Sequence, residues 1–179
     1  MFFGLFLGMF GASAMAGDSP ELLGDKESCM EGPVSEFGRY IGDWKIEDGQ
    51  FAQDGSGWNP GAGARWIFSC LGDGVSVQDF WLPNGSGFGT NLRTYNPDTG
   101  AWEIVWAAAR QNGLMHISAS LQDDDSILMQ IEKPEQDPPR RIIFYPPDES
   151  GWNWAIQWSQ DGGKTWFDVY RIKATPWSD

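Results

Sequence analysis

Histidine, cysteine and basic residues are scarce in this sequence, and each scarcity closes a class of function. His116 is the only histidine, and Cys29 and Cys70 are the only cysteines. One histidine and two cysteines cannot build a structural zinc site of the usual four-ligand kind. A Ser-His-Asp site would have to use His116, and no G-x-S-x-G elbow accompanies it. Lys and Arg number 12 against 25 Asp and Glu, a net charge of −13. Phosphate binding needs a basic face, so this balance argues against nucleic acid and against an anionic membrane surface as partners. Acidity favours solubility without choosing a ligand. Also missing are a long helical periodicity and any repeat of the solenoid or propeller kind. The acids Asp123, Asp124 and Asp125 lack the spaced D-x-D-x-D-G pattern of a calcium loop and read as a solvated turn. Neither a metal nor a cofactor is expected.

The one long apolar run stands at the start. Met1–Phe10 is apolar, and Ala14-Met15-Ala16 is an A-x-A cleavage pattern before Gly17. Residues 1–16 therefore read as a secretory signal peptide, which implies a secreted or periplasmic protein with no stable membrane insertion after cleavage. The run is too short for a comfortable membrane span. It carries no Lys or Arg at its start, which a mis-assigned start codon would explain. A disordered apolar tail or an uncleaved anchor is the alternative. In an oxidising compartment Cys29 and Cys70 could form a disulfide. The other reading is two separate thiols, with Cys70 buried as a small hydrophobe. Gly17–Glu36 is polar, contains Pro20 and Pro33, lacks periodicity and reads as an extended N-terminal arm. Phe37–Ile41 reads as a short helical turn that opens the folded domain, residues 37–175.

What the chain has in plenty is tryptophan, 11 residues of it, set in alternating patterns. In W-N-W-A-I-Q-W, Trp152, Trp154, Ile156 and Trp158 share one face, which is the period of a half-buried strand. Asp161-Gly162-Gly163 then turns the chain into a second aromatic, β-branched arm, giving a hairpin. Further strands are expected from Gly42-Asp43-Trp44, over Ala64–Leu71, Val75–Leu82, Phe88–Tyr95, Trp102–Ala109, Leu114–Leu121, Ile127–Lys133 and Arg140–Tyr145. Gly- and Pro-rich turns separate them. Short connections imply antiparallel neighbours in up-and-down order. The fold class is thus all-β. About ten such strands most simply close into one barrel, which removes exposed edges, with a two-sheet sandwich as the alternative. Asp48–Gly63 reads as a long Gly-rich loop, whose Phe51 and Trp58 could fold over a cavity mouth as a lid.

Gly42-x-Trp44 on the first strand, with Arg171 on the last, resembles the lipocalin signature. In that family the Trp closes one barrel end and a basic side chain from the last strand packs across it. The resemblance widens to an exported bacterial family of uncharacterised lipocalin-like proteins. It is carried by I-G-D-W at 41–44, Arg65, the stretch from Cys70 ending D-x-W at Trp81, and R-x-Y-N-P-D-T-G-x-W at 93–102. Trp106, S-x-D-G-G-x-T-W at 159–166 and Tyr170-Arg171 complete it, over residues 37–173. The resemblance implies a calycin-type barrel and no settled activity. Nitrobindin-like and fatty-acid-binding-like barrels are more distant analogues. The S-x-D-G-G-x-T-W segment also resembles the Asp-box of sialidase-type propellers. It occurs once in a chain too short for six blades, so it reads as turn chemistry.

The candidate ligand-binding residues are Trp44, Arg65, Asp79, Trp81, Arg93, Tyr95, Trp106, His116 and Tyr170, aromatic or chargeable side chains on expected strands. Asp79 shares a face with Val75, Val77 and Trp81, and a charge lying inward must be paired. Arg65, Arg93 and Arg141 are the possible partners. Asp79 is then either a polar anchor for a ligand head group or half of a purely structural ion pair; with the parity reversed by a bulge it lies on the surface instead. If His116 pointed inward it could ligate a haem iron or serve as a base; outward, it is a solvated strand residue. Three functions fit: a barrel binding a small, apolar or aromatic ligand, a barrel enzyme using Asp79 with Tyr95 or His116, and a structural envelope protein with a solid core.

Overall fold

The computed structural model of the protein describes residues 23–72 and 74–178. The expected signal peptide at 1–16 and the arm's first residues, 17–22, lie outside them. After a two-residue strand β1 (Leu23–Gly24) come two 3-10 turns, Glu27–Cys29 and Gly32–Val34, and a four-residue helix α1 (Ser35–Gly38). Strands follow in sequence: β2 (Gly42–Phe51), β3 (Trp58–Pro60), β4 (Ala64–Leu71), β5 (Ser76–Pro83), β6 (Gly89–Asn96), β7 (Ala101–Ala108) and β8 (Met115–Leu121). The last four are β9 (Ile127–Lys133), β10 (Arg140–Phe144), β11 (Trp152–Trp158) and β12 (Phe167–Pro176).

Consecutive strands from β4 to β12 pair antiparallel, and β12 returns to β2. Strand β2 closes the ring, because Trp44–Gln50 pairs with β12 while Gly42–Ile46 pairs with β4. The result is a closed, up-and-down, antiparallel barrel of ten strands, β2 and β4–β12. Closure leaves no long strand edge for another chain to pair with. The alternation read from sequence is the in/out alternation of the wall: Ala64, Trp66, Phe68 and Cys70 of β4 are buried, and Arg65, Ile67 and Ser69 are partly exposed.

Two expectations are corrected here. Asp48–Gly63 is not one long loop: β2 continues to Phe51, the chain turns over residues 52–57, and β3 runs back along β2 with Phe51 opposite Trp58. The arm is not extended from residue 27 onward. Its 3-10 turns and α1 fold across one barrel end and bury Cys29, Phe37 and Tyr40. A disulfide between Cys29 and Cys70 fastens this segment to β4. Gly38 is required at the crossing, because a Cβ there would sit 1.8 Å from the Cys29 carbonyl oxygen.

This end is solid. The Phe37 ring lies 4.8 Å from Trp102 and 5.6 Å from Phe144, both edge-on. Tyr40 lies 5.2 Å from both Phe144 and Trp152. Buried Tyr and Trp bring polar tips that must be satisfied. Tyr40 donates its hydroxyl to the Tyr145 carbonyl at 2.9 Å, Trp102 donates Nε1–H to Glu36 at 2.8 Å, and Trp44 donates Nε1–H to the Tyr40 carbonyl at 2.8 Å. Burial pushes the Tyr40 phenol up to about 12. The S-x-D-G-G-x-T-W segment is a hairpin turn at the other end: Asp161 accepts from the Lys164 and Thr165 amides, and Ser159 accepts from the Gly163 amide. Hydrogen bonds from the Thr165 amide, the Thr165 hydroxyl and the Ser159 hydroxyl hold the exposed Asp161 carboxyl down at about 2.

Candidate functional site

Above the solid end the barrel is hollow. A cavity of about 260 Å³ occupies the upper half. Trp66, Trp81, Trp106 and Trp154 form its walls, Arg93 and Phe144 its floor, and Met115, Ile131, Gln136 and Arg140 the side toward the open end. Local sequence explains the shape. Trp106 pairs with Asn91 across the strands, and its ring lies over Gly89, the partner of Ala108, where a Cβ would sit 2.0 Å from the indole. Trp66 meets Trp81 edge-on at 5.1 Å and Trp154 at 6.0 Å, so three indoles brace each other.

The floor carries the one fully buried ion pair among the described residues. Arg93 Nη2 donates to Asp79 Oδ2 at 2.5 Å, and both side chains are 0% exposed. Asn91 completes the shell of Asp79, donating its backbone N–H to Oδ1 at 3.0 Å and its side-chain amide to Oδ2 at 2.9 Å. The pair arises because Asp79 lies opposite Asn91, and Arg93 follows on the same inward face of β6. The guanidinium is caged by Phe37, Phe68 and Phe144 at 4.9, 5.1 and 5.8 Å. Desolvated cation–π contacts of this kind contribute about 2 kcal/mol or more. Asp79 is therefore the structural half of an ion pair behind the floor. Arg93, rather than Arg65 or Arg141, is its partner and the member that reaches the cavity.

A second depression of about 490 Å³ adjoins the cavity, sharing Arg140 and Ile156, and is bounded by Phe51, Trp158 and Tyr170. Arg140 lies over the Trp158 ring at 4.8 Å. Tyr170 donates a short hydrogen bond to Asp48. Burial first, then that bond, push its phenol well above the ordinary value.

Of the nine candidates, Trp81, Arg93 and Trp106 line the cavity, Asp79 lies behind it, and Tyr170 borders the adjoining depression. Four belong elsewhere. Trp44 is part of the solid end, edge-on to Trp152 at 5.7 Å. Tyr95 packs there too, 5.7 Å from Trp102. Arg65 faces outward, bonded to Asp43 and lying 4.9 Å over Trp177. His116 is exposed on the outer wall, since Met115 and Ile117 take the inward positions of β8. Nor does Arg171 cross Trp44: it is outside, 4.2 Å over Trp58 and bonded to Asp168. Trp58 is thus held on the outer wall rather than over the mouth.

Sequence reasoning missed Trp66, Asn91 and the apolar lining from β8–β10. Trp66 and Trp154 were legible as inward positions from alternation alone. The depth at which each sits follows from strand register, which no local pattern carries.

Compared with known protein families and with curated proteins, the sequence matches none. The fold itself defines the class: a closed, ten-stranded antiparallel barrel, consistent with the calycin type.

Proposed function

We propose that this protein is a lipocalin-like carrier or receptor that takes a small, largely apolar or aromatic ligand into the upper half of its barrel. The carrying observation is the indole-walled cavity of about 260 Å³. An apolar cavity of about 150 Å³ already stays dry and accepts benzene, so this one has room for a bicyclic ring system. Pockets lined by hydrophobic and aromatic side chains with a few placed polar groups are the usual small-molecule sites.

The solid-core alternative fits only the lower half. The acid–base alternative has no assembled machinery: among the described residues no hydrogen bond joins Asp79 to Tyr95 or His116. Export to the envelope fits the Cys29–Cys70 disulfide, which an oxidising compartment sustains. Residence in water rather than lipid fits the exposed Lys45, Glu47, Glu103 and Lys173 on the outer wall, where a membrane barrel would carry an apolar band.

The test is titration with 2-ethylnaphthalene, followed by quenching of tryptophan fluorescence and by calorimetry. Saturable one-to-one binding is expected, weakened at least tenfold by Ile131→Trp, which fills the cavity, and unchanged by His116→Ala. Absence of saturable binding, or equal binding by the filled variant, would refute the proposal.

A further inference from the structure

The buried, unpaired polar atoms of the cavity lining are all of one sense. Six buried side-chain nitrogen or oxygen atoms lack a hydrogen-bond partner among the described residues, and every one is a nitrogen donor. Four of the six belong to residues that line the cavity: Arg93 Nε and Nη1, Trp66 Nε1 and Trp154 Nε1. The nearby carboxylate is already used: Asp79 receives Arg93 and Asn91, and among the described residues Arg93 is the one guanidinium it meets. Buried donors are ordinarily paired, and leaving one unpaired is costly. The three phenyl rings around Arg93 meet its charge without supplying an acceptor atom.

Charge narrows the ligand further. Arg93 and Asp79 cancel one for one inside the barrel. A carboxylate brought to the same floor would leave a net buried negative charge, which is strongly disfavoured. A neutral carbonyl brings lone pairs and no charge. It also brings no N–H or O–H that would compete with the donors already present.

We infer that the cavity selects a neutral, carbonyl-bearing apolar molecule, a ketone or ester on an aromatic or aliphatic frame, with the carbonyl oxygen directed at the donors of Arg93, Trp66 and Trp154. This rests on the proposed binding role of the cavity and states which chemistry fills it. Arg140 plays no part at the floor, since it stands four residues toward the mouth from Phe144 on β10.

The experiment compares three ligands of nearly equal shape by calorimetry on the intact protein: 2-ethylnaphthalene, 2-acetylnaphthalene and 2-naphthoate. The ketone is expected to bind at least tenfold more tightly than the hydrocarbon and more tightly than the carboxylate. Trp154→Phe keeps a ring and deletes one N–H; the ketone-to-hydrocarbon affinity ratio is expected to fall severalfold. Equal binding of ketone and hydrocarbon overturns this inference and leaves the cavity's binding role standing. Tighter binding of 2-naphthoate than of the ketone overturns the charge argument and with it the inference. Failure of all three to bind overturns the binding role itself.

Discussion

The two halves of this barrel are built from the same residue types and do opposite things with them. At the closed end Phe37 and Tyr40 enter from outside the barrel wall and fill it, and the N–H groups of Trp44 and Trp102 each find an oxygen. In the upper half no capping segment fills the space among the described residues; from outside the strands only Gln136 of the β9–β10 loop joins the lining. Trp66, Trp81, Trp106 and Trp154 stand as walls around open space, and the N–H groups of Trp66 and Trp154 are buried there without a protein partner, as that of Trp152 is among the packed rings below. A tryptophan is thus core or lining according to whether something from another element reaches it. Arg93 sits at the boundary, its pair with Asp79 and its ring cage turned down, its remaining donors on the cavity floor.

The contrast can be broken most forcefully at that boundary. Asp79→Ala leaves a buried guanidinium without its counter-charge and is expected to cost about 3–5 kcal/mol, measured by urea unfolding. A cost under about 1 kcal/mol would mean that water reaches Arg93 and the floor is not sealed. The halves themselves are compared by truncation. Phe37→Ala, in the solid half, is expected to cost about 3–5 kcal/mol, because its removal opens a cavity among packed rings. Ile156→Ala, beside space that is already empty, should cost less than half as much. Equal costs would show the two halves to be packed alike.

The smallest effect concerns pH. Tyr40 is raised to about 12 by burial, so between pH 10 and 12 the unfolded chain loses this proton while the folded chain keeps it. Stability contributed by the neutral phenol is complete below pH 10 and falls as pH rises through that window. The loss approaches about 2–3 kcal/mol by pH 12, at about 1.4 kcal/mol per unit of pKa. Tyr40→Phe should flatten that part of the pH–stability profile, read from thermal unfolding at matched ionic strength. Tyr170, raised as well, would keep a residual slope.

The strands were legible because alternation and turn composition are local: each of the ten barrel strands was expected within a few residues of its place. The cap was not, because Phe37 and Tyr40 sit behind a polar segment with no period, and what they bury against is supplied by β7, β10 and β11. That Asp79 needed a cation was legible from its apolar stripe. Which arginine answered depended on the β5–β6 register. His116 and Arg65 were misplaced because choosing aromatic or charged residues on strands ignores parity, and parity decides whether a side chain sees the cavity or the solvent. The meeting of Arg171 with Trp44, implied by the lipocalin resemblance, fails for the same reason: Tyr170 and Ile172 take the inward positions, and Arg171 is left outside.

The central claim is a hollow, apolar upper half above a solid lower half. The most direct measurement is a crystal structure of the protein pressurised with xenon, a probe that enters dry apolar cavities. Xenon is expected among Trp81, Trp106, Ile131 and Trp154, with none among Phe37, Tyr40 and Phe144. Upper-half density filled by collapsed side chains, or xenon seated in the lower half, would contradict the account.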